Sequence, residues 1–184
     1  TVMLENIKAV IFDLDGSLAD SMWVWTTIDM EYIEEYHLEV PPHFYTEMEG
    51  KSFTETAQYF LDVFPVLPFT LEEIKQDWIN RAYDKYTKEV KLKEGALGFL
   101  QMLKERGILM GIATSNGRQL VEEFLKANHI ENFFGTVWTS CDVCAGKPSP
   151  DVYLKAAESL GVLPENCLVF EDVPMGILAG KNAG

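Results

Sequence analysis

The stretch Lys8-Ala9-Val10-Ile11-Phe12-Asp13-Leu14-Asp15-Gly16 joins a short apolar run to an abrupt acidic end. An uninterrupted apolar run is typical of a strand that is buried on both faces, as strands in parallel sheets are. Three similar runs follow later in the chain, and we expect them to be the neighbouring strands: Ile108–Ala113, Thr136–Thr139 and Cys167–Phe170.

Helical patterns alternate with these apolar runs. Ala96–Arg106 and Gln119–Asn128 each carry apolar residues on one face, and Gly107 is a typical helix stop after the first of them. The pattern at Asp151–Leu160 follows Ser149-Pro150, which predicts a serine N-cap with proline at the first helical position. Because strands and helices alternate, the sequence predicts an α/β fold with a Rossmann-like, doubly wound parallel sheet.

Residues 17–92 interrupt this alternation, because they show helical patterns only. The predicted helices are Trp23–His37, Ser52–Phe64 and Thr70–Glu89, and capping boxes begin the last two at Ser52 and Thr70. We therefore predict an inserted all-helical domain at 17–92 and an α/β core formed by 1–16 and 93–184. One apolar stripe follows the third helix: Leu71, Ile74, Trp78, Ala82 and Tyr86.

Composition and charge exclude several classes of protein. The chain has 184 residues, of which 47% are hydrophobic, so it is long enough to bury a substantial core. Its 29 acidic and 15 basic residues give a formal net charge of −14, which argues against nucleic acid and membrane surfaces as partners. It has no apolar stretch of the roughly 18 residues that a membrane span needs. With no signal-peptide pattern and only three cysteines, we expect a cytoplasmic protein. We also expect a monomer.

Two acidic pairs follow predicted strands. Asp13 and Asp15 come at the end of the first strand, where residues two apart point the same way, and Gly16 lets the chain turn there. Glu171 and Asp172 follow the last predicted strand in the same topological position. Carboxylates that lie close together resist ionisation unless a cation lies between them. The arrangement therefore predicts a site for Mg²⁺, which prefers oxygen ligands.

Four motifs, in this order, resemble those of the haloacid dehalogenase superfamily, in the branch whose first motif reads DxDG followed by Thr or Ser. They are Asp13–Ser21, Ile112–Asn116, Gly146–Asp151 and Phe170–Ile177, and they span nearly the whole chain. The resemblance implies a phosphomonoester hydrolase that acts on a small phosphorylated metabolite, such as a sugar phosphate, through an aspartyl-phosphate intermediate. It also implies that the inserted helices form a cap domain and that another strand and helix follow Gly184.

The resemblance assigns a role to each motif residue. Asp13 would be the nucleophile, Asp15 the general acid and base, and Lys147 a cation that offsets negative charge. Phosphoryl oxygens would be bound by Thr114, Ser115, Asn116 and Lys147. Mg²⁺ would be held by Asp13, the backbone carbonyl of Asp15, Asp172 and Glu171.

Structural interpretations of these residues stay open. The acidic pair after the first strand also favours a turn, Thr114 is a possible helix cap, and Glu171 is a possible structural carboxylate. Cys141 and Cys144 have the spacing of a zinc or redox pair, but no second pair completes a zinc site. We interpret that spacing as chance.

The main functional alternative is a sugar phosphomutase of the β-phosphoglucomutase type, which the chain also resembles. Those enzymes carry a histidine twelve residues after the nucleophile, where this chain has Trp25. They also carry an arginine three residues after a cap-loop glycine, whereas here Gly50 is followed at that distance by Phe53. Both departures favour hydrolysis. A further alternative is a non-catalytic binding or regulatory domain on the same fold.

Overall fold

The computed structural model describes residues 5–48, 51 and 53–184. The capping box predicted at Ser52 and the loop position compared at Gly50 lie outside these residues. The chain forms two compact units: an α/β unit made of Thr1–Met22 and Tyr86–Gly184, and a helical unit made of Trp23–Lys85. The helical unit is shorter at both ends than the predicted insertion at 17–92.

Backbone hydrogen bonds explain why the segments that flank the helical unit belong to the α/β unit. The amide of Asp20 donates to the carbonyl of Lys91 at 2.9 Å, and the amide of Lys93 donates to the carbonyl of Leu18 at 2.8 Å. The outgoing and returning segments are thus paired with each other before the helical unit begins. This pairing has no signal in the composition of the chain.

The α/β unit is built on a four-stranded parallel sheet with the strand order β3-β2-β1-β4. Each strand agrees with a predicted strand to within one residue at either end. The predicted α/β class with a parallel sheet is therefore confirmed. The strands are β1 (Ala9–Phe12), β2 (Leu109–Thr114), β3 (Thr136–Thr139) and β4 (Cys167–Phe170).

The four strands differ in burial. All residues of β1 are buried, whereas β3 and β4, at the two edges of the sheet, are mostly half-buried, and Phe170 is exposed. An edge strand has a neighbour on one side only, so an apolar run does not by itself imply burial on both faces. The expectation of burial on both faces is wrong for these two strands, and Cys167 is only half-buried.

Among the described residues, four helices supply the helical unit, which begins within the first and ends within the last of them. The five-residue second helix has no counterpart among the predicted helices. The capping box at Thr70 is confirmed, because the amide of Glu73 donates to Thr70 Oγ1 at 3.3 Å and the amide of Thr70 donates to Glu73 Oε2 at 2.8 Å. The helices are α1 (Met22–Glu35), α2 (Phe44–Met48), α3 (Phe53–Val63) and α4 (Leu71–Lys88).

The predicted stripe on α4 is buried along most of its length. Trp78 packs its ring edge-on against Phe60, with ring centroids 4.9 Å apart, and against Tyr32 of α1, at 6.0 Å. The buried side chains of the stripe are Ile74, Trp78, Ala82 and Tyr86. Aromatic packing against this face of α4 therefore forms the core of the helical unit.

In the part of the α/β unit that the structure describes there are four further helices, and the last two, α7 and α8, share an apolar core with β1 and β2. α7 begins at Asp151 as predicted, but Pro150 occupies the N-cap with a helical backbone (φ −75°, ψ −6°), so the predicted serine N-cap is wrong. Among the described residues, none of the helices combines the length and the apolarity that a membrane crossing requires. The helices are α5 (Ala96–Glu105), α6 (Arg118–Ala127), α7 (Asp151–Leu160) and α8 (Pro174–Ala183).

Candidate active site

The acidic residues that follow β1 and β4 meet at the carboxyl edge of the sheet. The chain passes from β1 to β2 and β3 on one side and then places β4 on the other side of β1. The carboxyl ends of β1 and β4 thus form a topological switch point, where α/β sheets bind their ligands. The amide of Asp13 donates to the carbonyl of Phe170 at 2.9 Å, which fixes Asp13 beside the end of β4.

Lys147 joins two of these carboxylates. Its Nζ lies 2.9 Å from Oδ1 of Asp13 and 2.5 Å from Oε2 of Glu171, and it also donates to the carbonyl of Ala113 at 3.2 Å. Only 6% of the lysine side chain is exposed. Nζ lies 5.1 Å from the centre of the Tyr153 ring, whose hydroxyl donates to the same Glu171 oxygen at 2.7 Å. A buried ammonium is therefore held in one position by oxygen ligands and an aromatic face.

Burial and the lysine act differently on the two carboxylates. Burial raises the pKa of Asp13 well above its usual range; Lys147 opposes this, and the charge of Glu171 adds to it. Burial also acts to raise the pKa of Glu171, but the hydrogen bond and the charge of Lys147 outweigh it and hold that pKa below its usual value. The lysine therefore favours the ionised form of Glu171, whereas its charge does not outweigh the effect of burial on Asp13.

Asp13, Glu171 and Asp172 form a cluster of three carboxylates whose ligand oxygens lie within 4.8 Å of one another. Three carboxylates and one lysine leave two negative charges when all are ionised, and oxygen donors of this kind suit Mg²⁺. Gly16 has φ +79°, and a methyl group there would lie 1.9 Å from Oδ2 of Asp172, so only glycine leaves room for this carboxylate. The donor set thus fits the metal that the sequence predicts.

The Asp15 carboxylate lies outside this cluster. Its Oδ1 accepts a hydrogen bond from Ser21 Oγ at 2.6 Å and another from the Tyr86 hydroxyl, and its Oδ2 accepts one from Asn116 Nδ2 at 3.1 Å. The strand ends at Phe12, and the chain then turns, so the alternation of extended backbone does not reach Asp15. Asp15 could therefore contribute only its backbone carbonyl, and not its carboxylate, to a metal ion held by this cluster.

Three of the four residues predicted to bind phosphoryl oxygens lie at the end of β2, in different environments. Thr114 is buried, and its Oγ1 accepts a hydrogen bond from the amide of Asn116 at 3.0 Å. Asn116 directs its side-chain amide to Asp15 and to the Tyr86 hydroxyl, both at 3.1 Å. Ser115 is exposed beside Ser140, whose Oγ lies 3.5 Å from its own. The side chain of Asn116 is thus engaged with the second aspartate, a contact that the sequence does not predict.

Three hydroxyl residues of this site are missing from the residues predicted from sequence. Ser21 stands in the first motif as quoted, but its hydroxyl has no predicted role. Tyr86 is predicted only as the last member of an apolar stripe, and Tyr153 only as a residue of the helix Asp151–Leu160. One signal in the sequence points to these hydrogen bonds with carboxylates. A tyrosine at a buried helical position needs a partner for its hydroxyl, and the acidic residues at the strand ends can supply one.

Gly176, the third residue of α8, leaves the space that Glu171 occupies. A methyl group on Gly176 would lie 1.9 Å from Oε2 of Glu171, and only 2% of the Glu171 side chain is exposed. We expect Gly176→Ala to lower the free energy of unfolding by about 1–3 kcal/mol, the usual cost of overpacking. The same change should move Glu171 away from Lys147 and reduce turnover.

Gly98 is the matched control, because it is the third residue of α5 and a methyl group there meets no atom within 4 Å. Gly98→Ala should raise the free energy of unfolding by about 0.5–1 kcal/mol, since alanine loses less backbone entropy in a helix. Urea denaturation measures both variants. Stability changes of the same sign and size would contradict the close packing of Glu171 against α8.

Cys141 and Cys144 are exposed free thiols. Among the described residues, the carboxylate cluster is the one group of metal-ligating side chains that the structure brings together.

Comparison with known proteins places the chain in a family. The sequence profile described as "Haloacid dehalogenase-like hydrolase" matches residues 10–184. The chain is 31% identical over 190 residues to the "Phosphorylated carbohydrates phosphatase" of Thermotoga maritima, covering 97% of this chain and 82% of that protein. It is 30% identical over 180 residues to "Pyrophosphatase PpaX" of Bacillus cereus, covering 97% and 81%.

A solved structure agrees in fold over nearly the whole chain. CbbY from Rhodobacter sphaeroides, in complex with phosphate, has a TM-score of 0.82 and 25% sequence identity, covering 97% of this chain and 83% of that chain. A variant of CbbY has been solved in complex with xylulose-(1,5)bisphosphate. The family and the enzyme class predicted from the four motifs are confirmed. The chain belongs to the haloacid dehalogenase-like hydrolases, as an enzyme of their phosphatase type.

Proposed function

We propose that this enzyme is a Mg²⁺-dependent phosphomonoester hydrolase that acts on a small phosphorylated metabolite, a sugar phosphate in the first instance. The observation that carries the proposal is the position of Asp13: a buried carboxylate at the switch point, bound to Lys147 and grouped with Glu171 and Asp172. The substrate class is supported by the relative named for phosphorylated carbohydrates and by the sugar bisphosphate bound to the CbbY variant.

In the first step Asp13 attacks phosphorus. Lys147 holds Oδ1 of Asp13, which leaves Oδ2 as the attacking oxygen. A bond forms between this oxygen and phosphorus, the bond from phosphorus to the ester oxygen breaks, and Asp15 gives its proton to the departing alkoxide. Asp13, Glu171, Asp172 and the carbonyl of Asp15 would hold Mg²⁺, which would offset the repulsion between the nucleophile and the phosphoryl oxygens.

In the second step water releases the phosphoryl group. Asp15, now ionised, takes a proton from the water molecule that attacks phosphorus, and the bond between phosphorus and Asp13 breaks to give inorganic phosphate. Lys147 stays beside Asp13 in both steps and offsets the charge that develops there. We assign Thr114 and Ser115, at the end of β2, to the binding of phosphoryl oxygens. We assign selection of the rest of the substrate to the helical unit, as a cap domain.

The mutase alternative is disfavoured by two positions in the helical unit. The positions at which a β-phosphoglucomutase would carry histidine and arginine hold Trp25 and Phe53, whose rings pack edge-on with centroids 5.8 Å apart. Neither of these two aromatic side chains is a cation like arginine, and neither carries an imidazole that could transfer a proton. This contact favours hydrolysis over transfer of the phosphoryl group between sugar positions.

A substrate panel with Mg²⁺ tests the proposal. We expect the purified protein to release inorganic phosphate from at least one sugar phosphate, faster than from pyrophosphate. EDTA should suppress the release, and excess Mg²⁺ should restore it, because Mg²⁺ held by the three carboxylates would offset their repulsion of the phosphoryl group. Undiminished turnover in EDTA, or no turnover with any ester, contradicts the proposal. With β-glucose 1-phosphate, glucose 6-phosphate formed faster than free phosphate would instead establish the mutase.

A further inference from the structure

The Asp15 carboxylate is held by side chains from three separate segments of the α/β unit. Ser21 follows the first motif, Asn116 follows β2, and Tyr86 lies in the last turn of α4. Ser21 and Tyr86 share Oδ1, while Asn116 occupies Oδ2. Both oxygens therefore have donors, and the plane of the carboxylate is defined as well as its position.

Tyr86 is the most firmly fixed of the three donors. Its side chain is fully buried, and its ring packs edge-on against Phe124 of α6, with centroids 6.2 Å apart. Its hydroxyl accepts a hydrogen bond from Asn116 Nδ2 at 3.1 Å. Because a tyrosine hydroxyl has one proton and accepts from Asn116, its own proton goes to Asp15. The contact between Tyr86 and Asp15 thus has a single direction, set by packing on one side and by an amide on the other.

We infer that Tyr86 is a positioning residue, which holds Asp15 in the orientation needed for proton transfer to and from the ester oxygen and water. The inference rests on the proposed function, because it takes Asp15 as the general acid and base. Proton transfer requires the two heavy atoms at hydrogen-bond distance, so a carboxylate that rotates freely spends much of its time out of reach. Tyr86 acts through Asp15 and need not touch the substrate.

The test compares two substrates that differ in the basicity of the leaving group. p-Nitrophenyl phosphate loses a stable phenolate that needs little help from an acid, whereas an alkyl phosphate, such as a sugar phosphate, loses a strongly basic alkoxide. The ratio kcat/KM reports the steps up to the first phosphoryl transfer. We expect Tyr86→Phe to lower kcat/KM about tenfold for the alkyl phosphate, the usual effect of one lost hydrogen bond, and about twofold or less for p-nitrophenyl phosphate.

Asp15→Asn separates a failure of this inference from a failure of the proposed function. If Asp15 is the acid, Asp15→Asn lowers kcat/KM for the alkyl phosphate more than for p-nitrophenyl phosphate, and by more than Tyr86→Phe does. Adding Tyr86→Phe to Asp15→Asn then causes no further loss of kcat/KM. If Asp15→Asn shows the dependence and Tyr86→Phe does not, the positioning role is wrong and the proposed function stands. If Asp15→Asn shows no such dependence, the acid role of Asp15 itself is wrong.

Tyr32→Phe is the matched structural control, because Tyr32 is also fully buried and its hydroxyl also donates to a carboxylate, that of Asp77 in the helical unit. Tyr32→Phe should lower the free energy of unfolding to an extent similar to Tyr86→Phe. It should leave kcat/KM for both substrates unchanged. Ser21→Ala removes a second donor to the same Asp15 oxygen and should show the same dependence on the leaving group as Tyr86→Phe. An equal loss for both substrates in Tyr86→Phe would overturn the inference in favour of a general structural role.

Discussion

Asp13→Asn abolishes phosphate release while the protein remains folded: this is the result we expect from removing the nucleophile. Asparagine has nearly the same shape, but its amide oxygen is a weak nucleophile, so turnover should fall by a factor on the order of 10⁴ or more. Burial disfavours the charged form of Asp13 and raises its pKa. The amide oxygen of asparagine can still accept the hydrogen bond from Lys147, which keeps its ion pair with Glu171. The melting temperature in EDTA should therefore equal or exceed that of the wild type.

Three measurements establish this first prediction. Phosphate release gives the loss of turnover, and thermal unfolding with and without Mg²⁺ shows a smaller metal-dependent gain in the variant, which has lost one charged ligand. Mass spectrometry of the wild type after rapid quenching should locate a phosphoryl group on the peptide that contains Asp13. Asp62→Asn, at an exposed carboxylate of the helical unit, is the control. It should change neither phosphate release nor the gain in melting temperature with Mg²⁺. Turnover at the wild-type rate in Asp13→Asn would refute the aspartyl-phosphate mechanism.

Lys147→Met should have the second largest effect, and it should affect both activity and stability. Methionine keeps the length of the side chain but removes the cation that lies between Asp13 and Glu171. The loss of one preorganised electrostatic group from an active site usually costs a factor of about 10²–10³ in kcat. Removing one partner of a buried ion pair usually costs about 3–5 kcal/mol of folding stability, because the remaining charge stays buried without compensation.

The dependence on metal distinguishes these two effects of Lys147→Met. In EDTA the variant should be strongly destabilised, whereas saturating Mg²⁺ should restore part of its stability and little of its activity. Lys155→Met is the matched control, because Lys155 forms an exposed pair with Glu158 at 3.3 Å, and such pairs contribute little to stability. If Lys147→Met is as stable as Lys155→Met in EDTA, the prediction is wrong, because the lysine is then not needed to neutralise the buried carboxylates.

The sheet and the acidic strand ends could be predicted from sequence because both depend on local patterns. An apolar run that stops at Asp13, and another that stops at Glu171, indicate two strand ends in a parallel sheet without any knowledge of distant contacts. The position of β1 between β2 and β4 then brings these ends together. Burial of the edge strands could not be predicted in this way, because it depends on the place of a strand in the sheet.

The surroundings of Asp15 could not be predicted, because they depend on contacts between segments that are far apart in sequence. Periodicity correctly predicts that Tyr86 is buried, but a helical stripe does not indicate which group its hydroxyl binds. Tyr86 follows Asp15 by 71 residues, and Asn116 follows it by 101. The position of the Asp15 carboxylate outside the cluster of Asp13, Glu171 and Asp172 has a related cause, because the strand does not continue beyond Phe12.

The central position of β1 has a consequence for the synthesis of the chain. β1 leaves the ribosome before the other three strands, both strands that pair with it are made much later, and Lys147 follows its partner Asp13 by 134 residues. At ordinary elongation rates this interval lasts on the order of 10 s. During that time an apolar strand with two open edges is exposed in the nascent chain, a target for chaperones or for aggregation. The nucleophile is thus made before the residues that bind it, and it gains Lys147 only after a further 134 residues have been added.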